Sequence, residues 1–169
     1  GVYSDRVEIQ NIKARFPLPD FSAQFRKEGK WGHLQLAGIV RSIHYDDMLQ
    51  DAYDLSGDVT GWGFNVSSNI KIKKDVLRFS VVYGEGIASY MNDGGMDAGP
   101  NQGLTPGGDV PGGTEIEAVE LTGVTLYYDH WWSDRWSSSI GYSITKVDNT
   151  NFQDPGAFSK IDYASGNLL

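Results

Sequence analysis

The sequence predicts an all-β chain: an antiparallel, up-and-down β-barrel of the transmembrane kind, present in part as about seven strands. Three observations predict it. Apolar and small polar residues alternate with period two along several segments, while helical periodicity is hard to find. Short and long connections between these segments alternate strictly, which gathers every long loop at one end of an antiparallel sheet. The segments also run close to the roughly 9–11 residues that a tilted strand needs to cross a bilayer, or slightly longer, against a usual ~5–6 in globular proteins.

Composition agrees. The 169 residues suffice for one domain with a core, and 1–169 reads as one partial barrel domain. A net charge of −8 argues against nucleic-acid binding, which needs a basic surface to displace counterions. There is no cysteine, so no disulfide, thiol nucleophile or thiolate metal site. A mean hydropathy of −0.37 is compatible with a membrane barrel, because only alternate residues of each strand face lipid.

The strands are expected at about 20–27, 33–45, 59–72, 77–85, 118–132, 136–147 and 161–169. Residues 1–19 read as loop, with RVEIQNIKARF a possible eighth strand. The clearest alternation is TGWGFNVSSNIKI at 60–72. Trp62, Phe64, Val66, Ile70 and Ile72 share one face; Gly61, Gly63, Asn65, Ser67, Asn69 and Lys71 share the other. Leu77, Phe79, Val81 and Tyr83 repeat it. EGKWG, KKDV and SDR make tight turns at 28–32, 73–76 and 133–135. The long connections are 46–58, the glycine-rich 86–117 and 148–160, read as external loops. The last strand stops mid-pattern at SGNLL with no closing aromatic, as expected for a piece of a larger barrel.

Register tests the stretch YYDHWWSDRWSSSIGY. A three-residue turn at Ser133, Asp134 and Arg135 sets Trp132 against Trp136, Tyr128 against Ile140, Leu126 against Tyr142 and Val124 against Ile144. The opposite face pairs Asp129 with Ser139, Tyr127 with Gly141 and Thr125 with Ser143. Tyrosine over a cross-strand glycine is a favourable packing. A two-residue turn would put Asp129 on the apolar face. Trp62, Tyr128, Trp132, Trp136 and Tyr142 are therefore candidate membrane-interface aromatics.

Several phrases resemble the DcaP-like outer-membrane porins. PDFSAQFRKEGKWGHLQLAGIVRSIHYDD is similar to that family's run of strand, GDWGH-type turn and LAG strand. VTLYYDHWWSDRWSSSIGYSITKVDNTNF is similar to its late hairpin and VDNTN loop, and YGEGIASYM to a strand end entering a long external loop. The matches cover most of 19–169, roughly the C-terminal half of such a porin without its final strands. The resemblance implies a 16-stranded homotrimeric barrel in the bacterial outer membrane, a passive channel for small anionic solutes such as dicarboxylates.

Charge would set selectivity in such a channel. Arg26, Arg41, Lys71 and Arg78 fall on the polar face as candidate pore-lining residues, and pairing 70 with 79 puts Lys71 opposite Arg78. Any polar lumen accounts for the same residues without selectivity. The acids Asp46, Asp47, Asp51, Asp54 and Asp58 crowd one loop, without the spacing of a calcium loop; divalent bridging to lipopolysaccharide is the functional reading and a solvated loop the bland one. Loop 86–117 either moves freely or folds inward, and its charges are all acidic: Asp93, Asp97, Asp109, Glu115 and Glu117. No enzyme and no cofactor is expected. His33, His44 and His130 lie on different strands, and SSSIG does not fit G-x-S-x-G. The rival from another class is a soluble carbohydrate-binding β-domain with Trp131, Trp132 and Trp136 as its platform. It leaves unexplained why the apolar face continues along both strands.

Overall fold

An alternating strand has two unlike faces, so side-by-side strands sum their apolar residues onto one surface. The computed structural model describes residues 12–15, 17–48, 56–91, 94–102, 114–151, 153 and 156–169. In chain order the strands are β1 (Ile12–Arg15), β2 (Phe21–Gly29), β3 (Gly32–Asp47), β4 (Gly57–Ile72), β5 (Asp75–Glu85), β6 (Ala98–Gln102), β7 (Thr114–Ala118), β8 (Glu120–Trp131), β9 (Ser137–Asp148) and β10 (Lys160–Leu168). The main sheet is antiparallel and runs β3–β4–β5–β8–β9–β10, with β2 and β1 side by side along the free edge of β3; β6 and β7 form a separate pair. Among the described residues the sheet does not close on itself. The seven expected strands are present with ends shifted by a few residues.

Two elements differ from the sequence expectation. Residues 12–15, expected as loop, pair with β3 from Ile12↔Asp47 to Arg15↔His44. β3 outruns its partner β2, and the preceding chain takes up the backbone groups left free there. Within 86–117, expected as one loop, β6 and β7 pair from Ala98↔Ala118 to Gln102↔Thr114. Residues 6–11 and 16 of the possible extra strand lie outside the described residues, as do Asp51, Asp54, Asp93 and Asp109 and the side chains of Asp47 and Glu115.

The β8–β9 hairpin has the predicted register: Tyr128↔Ile140, Leu126↔Tyr142, Val124↔Ile144 and Tyr127↔Gly141 are all Cα partners. The Trp132 N–H donates to the Trp136 carbonyl at 3.0 Å. A Cβ at Gly141 would fall 2.1 Å from Tyr127 ring carbons, so the ring occupies the space a side chain would need. The β4–β5 register differs from the expectation. Ile70 pairs with Leu77 and Ser68 with Phe79, so Arg78 faces Asn69 and Lys71 faces Val76. The turn there is two residues, Lys73 and Lys74, not four. Lys73 adopts φ of +60°, a left-handed conformation that tight hairpins require and lysine rarely supplies.

The two faces of the sheet are unlike. One is bare: Phe21, Phe25, Leu34, Leu36, Val40, Trp62, Phe64, Val124, Leu126, Ile140 and Tyr142 all stand exposed on it. The other is polar toward the tight turns and apolar toward the long loops. Burial concentrates at that loop end, where Ala88, Val119, Leu121 and Val147 form a cluster packed by Val82, Met91 and Phe158. Ile43 and Tyr45 are buried on the same face.

Candidate functional site

The period-two pattern builds the polar face row by row. Arg26, Gln35, Ser67, Ser80, Thr125 and Ser143 are consecutive partners across six strands. Side chains bridge strands within and between rows. Gln35 Nε2 donates to Gln24 Oε1 at 3.2 Å, Asn65 Nδ2 to Ser80 Oγ at 2.9 Å and Ser139 Oγ to Asp129 Oδ1 at 2.7 Å.

At the loop end the chain folds back over this face. It turns at Gly86, where φ is +66°, and residues 87–91 lie across the sheet. Gly63 and Gly84 are cross-strand partners, and Ile87 sits over them. A Cβ at Gly63 would come within 2.6 Å of Ile87 Cδ1; one at Gly84 would meet the Trp62 carbonyl oxygen at 2.2 Å. The backbone fastens both ends of the segment: the Gly86 N–H donates to the Val119 carbonyl at 3.0 Å, and the Val119 N–H to the Asp97 carbonyl at 2.9 Å.

Arg41 holds the segment to the wall. Its Nη1 donates to Asp97 Oδ2 at 2.8 Å, Ser89 Oγ at 2.7 Å and the Gly86 carbonyl at 3.2 Å. Its Nε lies 3.3 Å from Asp20 Oδ2, close enough for an ion pair but not aligned for a hydrogen bond. The guanidinium carbon stands 5.2 Å from the centroid of the Tyr90 ring. The Tyr90 hydroxyl donates to Asp20. That bond to a carboxylate raises the phenol above its ordinary value, so Tyr90 stays a neutral donor across physiological pH.

The sequence-selected residues separate in the structure. Arg41 lies on the polar face as expected but is covered, at 7% exposure, and neutralised by Asp20 and Asp97. Arg78 is exposed and pairs with Asp129 at 2.8 Å. Arg26 is exposed beside Glu28 at 3.3 Å. Lys71 stands exposed at the turn end, with no carboxylate in ion-pair range among the described residues. Trp62 lies on the bare face near the loop end; Tyr128 and Tyr142 lie on the same face, with hydroxyls bonded to Asp75 and Asp162. Trp132 and Trp136 stand exposed at the turn end. His33 and His130 are at the turn end and His44 at the loop end, so the three histidines do not converge. Sequence reasoning missed Asp20, Ser89, Tyr90 and Asp97 as partners of Arg41. A signal existed: Gly61, Gly63, Gly84 and Gly86 strip side chains from one patch of the polar face, which makes room for a covering segment.

The chain is similar in structure to the outer membrane channel DcaP of Acinetobacter baumannii, with a TM-score of 0.68 and 18% identity, over 95% of this chain and 43% of that one. It has a DcaP-like porin fold. The chain spans less than half the length of that channel. No protein-family model matches it, and neither does any curated protein. In a porin wall the polar face turns to the barrel interior and the apolar face outward, so the 87–91 segment lies on the inner side.

Proposed function

We propose that this chain is wall of a passive diffusion channel in the bacterial outer membrane, with the lipid bilayer against its bare face and small polar solutes moving along the other. The carrying observation is the bare apolar face. It spreads over β2, β3, β4, β5, β8 and β9, larger than a water-soluble monomer tolerates. Its height supports the reading. Trp62 and Glu120 share one cross-strand row through Glu85, and Trp132 lies twelve residues along β8 from Glu120. At ~3.3 Å per residue and a tilt of about 45°, those twelve residues rise about 28 Å along the membrane normal, and the row, tilted likewise over two ~4.8 Å strand steps, shifts the height of Trp62 by about 7 Å, which keeps the separation of the aromatic ends comparable to the ~25 Å apolar band of such barrels. Stepwise conductance in planar bilayers tests it. A protein that stays monodisperse in buffer without detergent and conducts nothing would overturn it.

A preference for small anions such as dicarboxylates is the narrower reading. Lys71 and the exposed Arg26 and Arg78 favour it. Against it, each wall arginine lies against a carboxylate. Reversal potentials under a KCl gradient measure the preference.

A homotrimer is favoured by one observation. On β10 the outward positions are Asp162, Ala164 and Gly166, set beside Ile144, Tyr142 and Ile140. Asp162 accepts from the Tyr142 hydroxyl and pairs with Lys160 at 3.0 Å. A charge pair and small residues suit a protein-covered face better than hydrocarbon. Cross-linking in native membranes through a cysteine at Ala164 tests this; no cross-linked oligomer would count against it.

A further inference from the structure

We infer that the groove between residues 87–91 and the wall is a binding subsite for an uncharged, hydroxyl-bearing solute, and that it disfavours anions; this rests on the channel reading above. The groove is open on one side and offers about 560 Å³, within the range of small-molecule sites. Its polarity is of one kind. Ser22, Asn65, Ser80 and Thr125 line it with hydroxyl and amide groups. Asn65 Nδ2 is committed to Ser80 Oγ, which leaves Asn65 Oδ1 as an acceptor and the Ser80 O–H as a donor toward the groove.

Apolar groups complete it. Ile39 and Val82 stand on the wall side, and Ile87 and Met91 on the segment side. A solute with hydroxyls on its edge and C–H groups on its faces satisfies both surfaces at once; a fully hydrated ion satisfies neither. The charge points the same way. The described lining holds no lysine, arginine or histidine, and its one ionised group is the carboxylate of Asp20. The adjacent cation, Arg41, is already committed to Asp20 and to Asp97, two carboxylates against one guanidinium. An anion entering here meets a carboxylate and no free cation.

The test uses the protein in planar bilayers in KCl, with glucose and succinate as probes. Glucose is expected to reduce the single-channel current saturably, beyond the linear effect of viscosity, and succinate to show no saturation. Ser80→Ala with Thr125→Val removes two hydroxyls without filling the groove. It should raise the half-saturating glucose concentration about tenfold. Met91→Ala, on the segment, should weaken glucose as well and guards against a wall variant that fails to insert. Saturation by succinate at equal or lower concentration would overturn the proposal, and so would glucose block that neither variant changes. Channels that conduct but saturate with neither probe remove the subsite and leave the channel; no conductance at all removes both.

Discussion

Arg41 on β3 and Asp97, just beyond the folded-back segment, are joined by a hydrogen-bonded ion pair of 2.8 Å across the loop end of the polar face. The pair closes a clasp, since the same Nη1 also holds Ser89 and the Gly86 carbonyl. Removing Arg41 leaves Asp20 and Asp97 facing each other without their cation. Hydrogen bonds to charged groups contribute about 1.5–3 kcal/mol each, less where water reaches them. Arg41→Ala should therefore loosen the segment and raise single-channel conductance and current noise. Arg41→Lys should fall between, because one ammonium cannot reproduce the fork. A quiet channel of parental conductance in Arg41→Ala would show that the clasp does not hold the segment.

Ile87 and Gly63 should be energetically coupled. Gly63→Ala places a Cβ 2.6 Å from Ile87 Cδ1. The other near atoms are 3.2 Å or farther, so the isoleucine has to give way. Overpacking of this kind costs about 1–3 kcal/mol. In an Ile87→Ala background the same change should be close to neutral. A double-mutant cycle on chemical unfolding in detergent measures the difference, and additive effects would mean that Ile87 does not depend on the glycine.

Register at β8–β9 was legible because a one-residue slip would have moved Asp129 onto the apolar face. Register at β4–β5 was not, because Lys73 takes a left-handed turn with no glycine or asparagine to announce it. The slip of two residues kept every face correct and moved only the cross-strand neighbours, which is why Lys71 and Arg78 sit on the predicted face but not opposite each other. The basic positions were legible as types on a face. Their neutralisation was not, because Asp20 and Asp97 lie 21 and 56 residues from Arg41 and no period links them. The folded-back segment left its trace as missing side chains on the wall, a weaker signal than any motif.

Asp75 ties the turn end together. It accepts from the Tyr128 hydroxyl at 2.6 Å and the Trp131 N–H at 3.0 Å, and its Oδ2 lies 3.0 Å from His130 Nδ1. These contacts bind the start of β5 to the end of β8, next to the hairpin that carries Trp132 and Trp136. Asp75→Ala removes the acceptor of a tyrosine hydroxyl and of a backbone N–H together. Asp75→Asn keeps acceptor oxygen and should lose less. The temperature at which the folded form disappears in a semi-native detergent gel should fall in that order; equal temperatures for all three proteins would assign the network no role in stability.

Tryptophan depth distinguishes a membrane wall from a soluble sheet. Trp132 and Trp136 at the turn end and Trp62 near the loop end should both sit at headgroup level, on opposite sides of the apolar band. In single-tryptophan proteins reconstituted with brominated lipids, each should be quenched more strongly by bromines near the glycerol than by bromines at the chain ends. Phe64 and Leu126 lie between the two levels. A tryptophan placed at Leu126 should show the reverse order. Equal quenching at positions 62, 126 and 132, or none at any of them, would contradict an outward lipid face and leave the exposed apolar strands without an account.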